Sequence, residues 1–376
     1  MRSFSNIILL LLLALTGTAQ YHVTFRLTQR PPGDTARSVY LVGSFNNWDP
    51  GLPAYRLVPD ANGSLSLTLT LPRGQQEFKL TKGSWATGEV AASGKGVDNR
   101  IFFVTNDTTM NISIEQWAHH FPSAGRHSTA TRQVQVIDTA FFIPQLNRHR
   151  RIWICLPADY ATSKEKYPVL YMQDGQNLFD DATSAYGEWG VDEAMDTLGP
   201  QYGHAIIVGI DHGGSRRINE YSPYDMEKYG KGEGDQYVDF MAQTLKPFID
   251  RHYRTRKEAA HTFVAGSSMG GLISFHAILK YPKVFGAAGV FSPAFWITPQ
   301  LKTIDPKKAK ALKGKIYFYA GAQESEHMVT DMLSVFGQLR RYSKAKMETV
   351  IRAEGRHSEA TWRAEFPLFY EWLMKK

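Results

Sequence analysis

The sequence predicts an α/β domain with a mainly parallel sheet, preceded by a small all-β sandwich, and three observations predict it. From 21 to about 115, short apolar-alternating runs are broken by turn residues, most clearly "SLSLTLTL" between "DANG" and "PRG". After 132 the rhythm changes to continuous apolar runs separated by segments of helical period, the pattern of buried parallel strands and their crossovers. Between the two, residues 116–131, "QWAHHFPSAGRHSTAT", lose periodicity and gather Ser, Thr, Ala, Gly and Pro, as a linker does.

Taken in order, residues 1–19, "MRSFSNIILLLLLALTGTA", place one Arg before an unbroken apolar run and end in small residues. The run is too short to span a bilayer and has the parts of a secretory signal peptide, which predicts export to the periplasm or medium and a mature chain beginning near Gln20. The segments "YHVTFRL", "SVYLVGSF", "SLSLTLTL", "QEFKLTK", "RIFFV" and "MNISI" are the expected strands of a module over 20–115. In the region 132–376 the expected strands are "YPVLYMQ", "HAIIVGI", "TFVAG", "AAGVFS", "KIYFYAG" and "METVIRA". They alternate with helices at "VDEAMDTL", "GDQYVDFMAQTLKPFIDRHY" and "HMVTDMLSVFGQLRRY". No second stretch approaches ~20 apolar residues, so no membrane span is expected.

The single cysteine, Cys155, falls in the expected strand "RIWICLPADY" and reads as a packing residue; alone it supports neither an intrachain disulfide nor a thiolate metal cluster. The net charge of +7 comes from scattered Lys and Arg, the densest group being "DPKKAKALKGK" at 305–315, a solvated surface segment; nucleic acid is not an expected partner. No His-Glu-x-x-His occurs, His119 and His120 lie in the linker, and "GGSRR" and "GKGEG" lack the strand-to-helix setting of a phosphate or dinucleotide loop. No metal and no cofactor is therefore expected.

The segment "HTFVAGSSMGGLISFHAILKY" runs from a buried strand directly into a helix, and its Gly266-Ser267-Ser268-Met269-Gly270 fits Gly-x-Ser-x-Gly. Such a reversal crowds the backbone and needs small flanking residues. It lifts Ser268 out at the carboxyl edge of the sheet, against a helix N-terminus whose free N–H groups favour a developing oxyanion. A serine nucleophile needs a base, and the base an orienting acid, in the order Ser, acid, His. His357 follows the last expected strand in "IRAEGRHSEATW", and Glu324 follows another in "KIYFYAGAQESEH", with Glu326 and Asp331 as alternative acids. Asp174-Gly175-Gln176 directly follows the strand "YPVLYMQ", so the backbone N–H groups of Gln176 and Met269 are the expected oxyanion donors.

Together, "RHRRIWICLPADY", "YPVLYMQDGQNLFD", "EWGVDEAM", "RINEYSP", "GSSMGG" and "GRHSEATW" resemble the putative-esterase family of α/β-hydrolases over about 132–376. That family includes feruloyl and acetylxylan esterases, siderophore esterases, S-formylglutathione hydrolases and mycolyl transferases. The resemblance implies the α/β-hydrolase fold, a triad of Ser268, Glu324 and His357, and an oxyanion hole from Gln176 and Met269. It also implies that Asp174 and Arg217 line or brace the pocket, Arg217 either touching substrate or clamping Glu220.

In the first module, "SVYLVGSFNNWDP", "QEFKLTKGSW" and "GVDNRIFF" resemble the immunoglobulin-like starch- and glycogen-binding modules over about 22–115. The resemblance implies Trp48 and Trp85 as platforms for sugar rings and Lys79 and Asn99 as hydroxyl-binding groups; the two indoles equally suit packing. The expected function is an exported serine carboxylic-ester hydrolase acting on feruloyl or acetyl esters of a polysaccharide or oligosaccharide, with α-glucan or xylan binding by the first module. The alternatives are a glycan-binding protein with an inert hydrolase-like domain, and a siderophore esterase or acyltransferase of the same fold.

Overall fold

Val23, Phe25 and Leu27 alternate along the strand Gln20–Gln29 and are all buried, so this strand turns one face to a core. The structure, a computed structural model, describes residues 19–34, 38–46, 48–61, 63–121, 127–184 and 186–375. Residues 1–18 of the expected signal peptide, 1–19, and the middle of the expected linker, 122–126, lie outside the described residues. The chain divides into two compact units, Met1–Gly83 with Arg100–Ile114, and Ser84–Asn99 with Glu115–Lys376.

The first unit is β-rich. One sheet has the strand order Val58–Pro59, Leu65–Pro72, Gln20–Gln29, Thr108–Ser113; the other has Tyr40–Gly43, Gly74–Thr81, Arg100–Val104. Phe25 meets Phe78 and Phe102 edge-on at ring-centroid distances of 5.1 and 5.7 Å, the aromatic centre of this unit.

The second unit holds an eight-stranded mixed sheet. Its strands are β1 (Val134–Ile143), β2 (Arg148–Cys155), β3 (Val169–Gln173), β4 (Ile206–Ile210), β5 (Thr262–Ser267), β6 (Ala287–Phe291), β7 (Lys315–Gly321) and β8 (Lys346–Arg352), in the order β1-β2-β4-β3-β5-β6-β7-β8. β1 and β2 pair antiparallel, as do β2 and β4, and all other neighbours are parallel. Parallel central strands are covered on both faces, which explains their unbroken apolar sequences. Ile152 and Ile154 pack into one core with Leu272 and Phe275 of the helix Met269–Lys280. Trp153 and Cys155, on the opposite face, pack with Trp189, Trp362 and Phe366. Burial pushes the Cys155 thiol far up, which keeps it protonated and inert.

The units do not follow the boundaries expected from sequence. Ser84–Asn99 leaves the strand pair Gly74–Thr81 and Arg100–Val104 and joins the second unit. There Glu89–Val90 pairs with Gln116–Trp117, at the head of the expected linker, and Trp117 is fully buried. The far end of that linker is also held. Ser128 Oγ donates to Asp180 at 2.7 Å, Thr129 Oγ1 to Glu188 at 3.0 Å, and the Thr131 N–H to Asp192 at 2.7 Å.

Candidate active site

β5 ends at Ser267 and the helix begins at Met269, leaving Ser268 alone to reverse the chain, with φ 57° and ψ −122°. Such a conformation is costly for a residue with a side chain and persists only where its surroundings impose it. Here the Ser268 N–H donates to Phe291 O at 2.9 Å, and Ser268 O accepts from Leu272 and Ala294 N–H at 3.0 and 3.1 Å. The flanking glycines answer to space: a Cβ on Gly266 would lie 2.8 Å from Gly270 C, and one on Gly271 would lie 2.6 Å from Phe291 O. The serine stands at the carboxyl edge of the sheet, where open α/β folds place their ligands.

The expected acid and base are together at that edge. Glu324 follows β7, His357 follows β8, and His357 Nδ1 lies 2.7 Å from Glu324 Oε2. Glu324 is almost fully buried; its other oxygen accepts from Ser292 Oγ and from the Gly321 N–H, both at 2.6 Å. Three hydrogen-bonding partners hold this carboxylate in a fixed position. Ser292 directly follows Phe291, the acceptor for the Ser268 N–H, so one short stretch of chain touches both the elbow and the acid. The other two acid candidates are elsewhere: Glu326 is exposed, and Asp331 sits in the helix Met328–Tyr342, paired with Lys302 at 2.7 Å.

The turn after β3 backs directly onto the elbow. Cβ atoms placed on Gly266 and Gly270 would lie 2.9 and 3.0 Å from Gln173 Cβ, and the one on Gly270 also 3.0 Å from Asp174 Oδ2. Asp174 is left-handed, φ 58° and ψ 49°, and opens the short helix Gly175–Asn177. The N–H groups of Gln176 and Met269, the expected oxyanion donors, sit in the first turns of their helices, where no intrahelical acceptor exists. Thr183 Oγ1 donates to Gln176 O at 2.8 Å, and Gln176 Oε1 accepts from the His212 N–H at 3.3 Å. Burial lowers the His212 imidazole below its ordinary range, so it is neutral at pH 7.

Arg217 grips Asp174 in a bidentate pair, Nε to Oδ1 at 2.7 Å and Nη2 to Oδ2 at 2.8 Å. The alternative of an Arg217 clamp on Glu220 is corrected by this geometry. Glu220, fully buried, accepts instead from Arg150 at 2.7 and 2.8 Å and from Arg148 at 2.9 Å, and Arg148 also bonds Glu233. A buried carboxylate needs such partners.

Three side chains at this edge escaped the sequence reading. Ser292 has φ 44° and also accepts from Trp362 Nε1 at 2.9 Å. The Trp362 ring meets His357 edge-on at 4.9 Å, and Trp296 meets it edge-on at 6.3 Å. A serine immediately past a strand end, in the turn "FSP" at 291–293, was the available signal for the first.

The four glycan-binding candidates divide between the units. Trp48 and Lys79 are in the first, Trp48 with φ 60° and its N–H on Gly43 O. Trp85 and Asn99 are in the second, where Trp85 meets Tyr186 at 6.1 Å with the rings perpendicular.

A family model described as "Putative esterase" matches residues 143–371. The chain is 25% identical over 243 residues to the uncharacterized protein YbbA of Bacillus subtilis, a match covering 61% of this chain and 94% of that one. It is 42% identical over 108 residues to an alpha-amylase of Niallia circulans, covering 27% of this chain and 8% of the amylase. It is 24% identical over 223 residues to an endo-1,4-beta-xylanase/feruloyl esterase of Xylanibacter ruminicola, covering 56% and 27%. The crystal structure of the enterobactin esterase FES from Shigella flexneri in the presence of enterobactin has a TM-score of 0.53 at 17% identity, covering 94% of this chain and 92% of FES, a likeness of fold.

Proposed function

The chain belongs to the Esterase family and is a carboxylic ester hydrolase, and from that premise we propose that it works through an acyl-enzyme on Ser268, on acyl groups carried by a polysaccharide or oligosaccharide. The observation that carries the mechanism is the 2.7 Å hydrogen bond between His357 and Glu324, on the same sheet edge as the strained turn at Ser268.

In this reading Ser268 Oγ attacks the ester carbonyl while His357 Nε2 takes its proton. Glu324 holds the opposite ring nitrogen protonated and stabilises the imidazolium. The Met269 and Gln176 N–H groups bind the tetrahedral oxyanion. His357 then returns the proton to the leaving alcohol, and water repeats the sequence on the acyl-enzyme to release the carboxylate. The Asp174–Arg217 pair fixes the turn that carries Gln176 and leaves the rim of the site polar.

The feruloyl or acetyl ester reading draws support from the likeness to the xylanase/feruloyl esterase, and a glycan partner from the likeness to the alpha-amylase. The immunoglobulin-like description of the first unit, a carbohydrate-binding role for Trp48, Lys79, Trp85 and Asn99, and export by the N-terminal segment belong to the same proposal. The test is hydrolysis of p-nitrophenyl acetate together with labelling by an active-site fluorophosphonate. Wild type turns over and is labelled on Ser268; Ser268→Ala loses both. A Ser268→Ala protein with full turnover overturns the reading.

A further inference from the structure

We infer that Thr129 is a positioning residue of the ester site: from a stretch that reads in sequence as a linker, it sets the turn that carries the Gln176 N–H. This rests on the hydrolase reading above and names what holds its oxyanion hole in place.

An oxyanion donor accelerates a reaction only if it already stands where charge will develop, and a misplacement of about 1 Å can cost about a hundredfold. The turn Gly175–Asn177 is a single short helical turn, too brief to hold itself, so its neighbours must place it. At its start Asp174 is gripped by Arg217. Its last two carbonyls are held by chain that follows. Gln176 O accepts from Thr183 Oγ1 at 2.8 Å, and Asn177 O accepts from the Trp189 N–H at 2.8 Å.

Both of those donors lead back to Thr129. Thr183 belongs to the turn at 180–184, in which Asp180 O accepts from the Thr183 and Ser184 N–H groups, each at 3.1 Å, and Asp180 Oδ1 from the Ala182 N–H at 2.9 Å. Thr129 grasps that turn twice, its N–H donating to Asp180 Oδ1 at 3.2 Å and its hydroxyl accepting from the Asp181 N–H at 2.8 Å. The same hydroxyl donates to Glu188 Oε2 at 3.0 Å, and Glu188 immediately precedes Trp189. Glu188 is buried, and its contact with Arg363 is longer, 3.6 Å. One oxygen therefore joins the two places from which the oxyanion turn is pinned. Thr129 is itself exposed and fills no core position, so removing its hydroxyl tests these bonds and not the packing.

The experiment measures kcat and KM on p-nitrophenyl acetate for wild type, Thr129→Val, Thr129→Ser, Thr183→Val and the double valine variant, with active sites counted by fluorophosphonate labelling and melting temperatures recorded alongside. Acylation and deacylation each pass through an oxyanion in the same hole, so lost positioning appears in kcat whichever step is slower. Thr129→Val should lower kcat about tenfold with KM within about twofold, and Thr129→Ser, which keeps the hydroxyl, should stay near wild type. The double variant should lose less than the product of the two single losses, because Thr129 acts in part through Thr183. Thr129→Ala, read in the same way, serves if valine prevents folding. A lowered melting temperature with wild-type kcat per labelled site, equal losses in the valine and serine variants, or losses that multiply in the double variant overturn the inference and leave the hydrolase reading standing. Wild type without activity or labelling removes the hydrolase reading, and the inference with it.

Discussion

Replacing Ser292 by Ala removes one oxygen that serves two partners. Its hydroxyl donates to Glu324 Oε1 at 2.6 Å and accepts from the Trp362 indole at 2.9 Å, all three groups being buried. A hydrogen bond to a charged acceptor contributes about 1.5–3 kcal/mol, and a buried donor left without an acceptor costs about 1–3 kcal/mol, so Ser292→Ala should lose roughly 3 kcal/mol of stability. Glu324 keeps the Gly321 N–H and His357 but loses one of its three anchors. Looser orientation of the base should lower kcat/KM about tenfold, equivalent to ~1.4 kcal/mol of barrier. The assay is p-nitrophenyl acetate hydrolysis over about pH 5–9, beside a thermal melt. Ser292→Gly is the control for backbone strain, since glycine adopts the φ of 44° freely but also lacks the hydroxyl. Both variants should lose activity to a similar extent. A destabilised Ser292→Ala with unchanged kcat/KM would show that the hydroxyl only packs, and that Glu324 needs no help in holding the base.

Two further outcomes concern stability. Arg150→Met leaves the fully buried Glu220 with Arg148 alone and should cost about 3 kcal/mol, read as a lowered melting temperature; a change within experimental error would mean that Arg148 suffices. Burial, then the adjacent Glu193 carboxylate, raise Asp192 to about 6, so the folded chain holds that proton more tightly than the unfolded one. Its contribution is therefore present below the unfolded value near 3.8 and is lost as pH rises to about 6, on the order of 3 kcal/mol. Asp192→Asn keeps an acceptor for the Thr131 N–H at a position that no longer ionises. Its stability relative to wild type should rise between about pH 4 and pH 7, and a flat difference in parallel melts would contradict the assignment.

The parts of the site written in local sequence were legible. Ser268 is defined by five consecutive residues, because the glycine spacing and the strand-to-helix reversal are one local event. The class of the second unit was equally plain, since fully buried parallel strands leave unbroken apolar runs. What sequence left open depended on distant partners. Glu324 and Glu326 sit on one loop, and only the position of His357 distinguishes them. Arg217 and Glu220 are neighbours in a helical turn, yet each takes a partner far along the chain, Asp174 and Arg150. The excursion from Ser84 to Asn99 was hidden for a related reason: residue patterning marks where chain is buried, not which core buries it.

That excursion decides how the polypeptide can be cut. The second unit is not a contiguous length of chain, since Ser84–Asn99 reaches it from within the strands of the first. A fragment starting at 132, the boundary that periodicity suggests, would discard Trp85, Gly96 and Asp98 along with the β-rich half. Exchanging the N-terminal half between relatives would accordingly exchange a piece of the second unit along with the β-rich first unit, so the two would be inherited together.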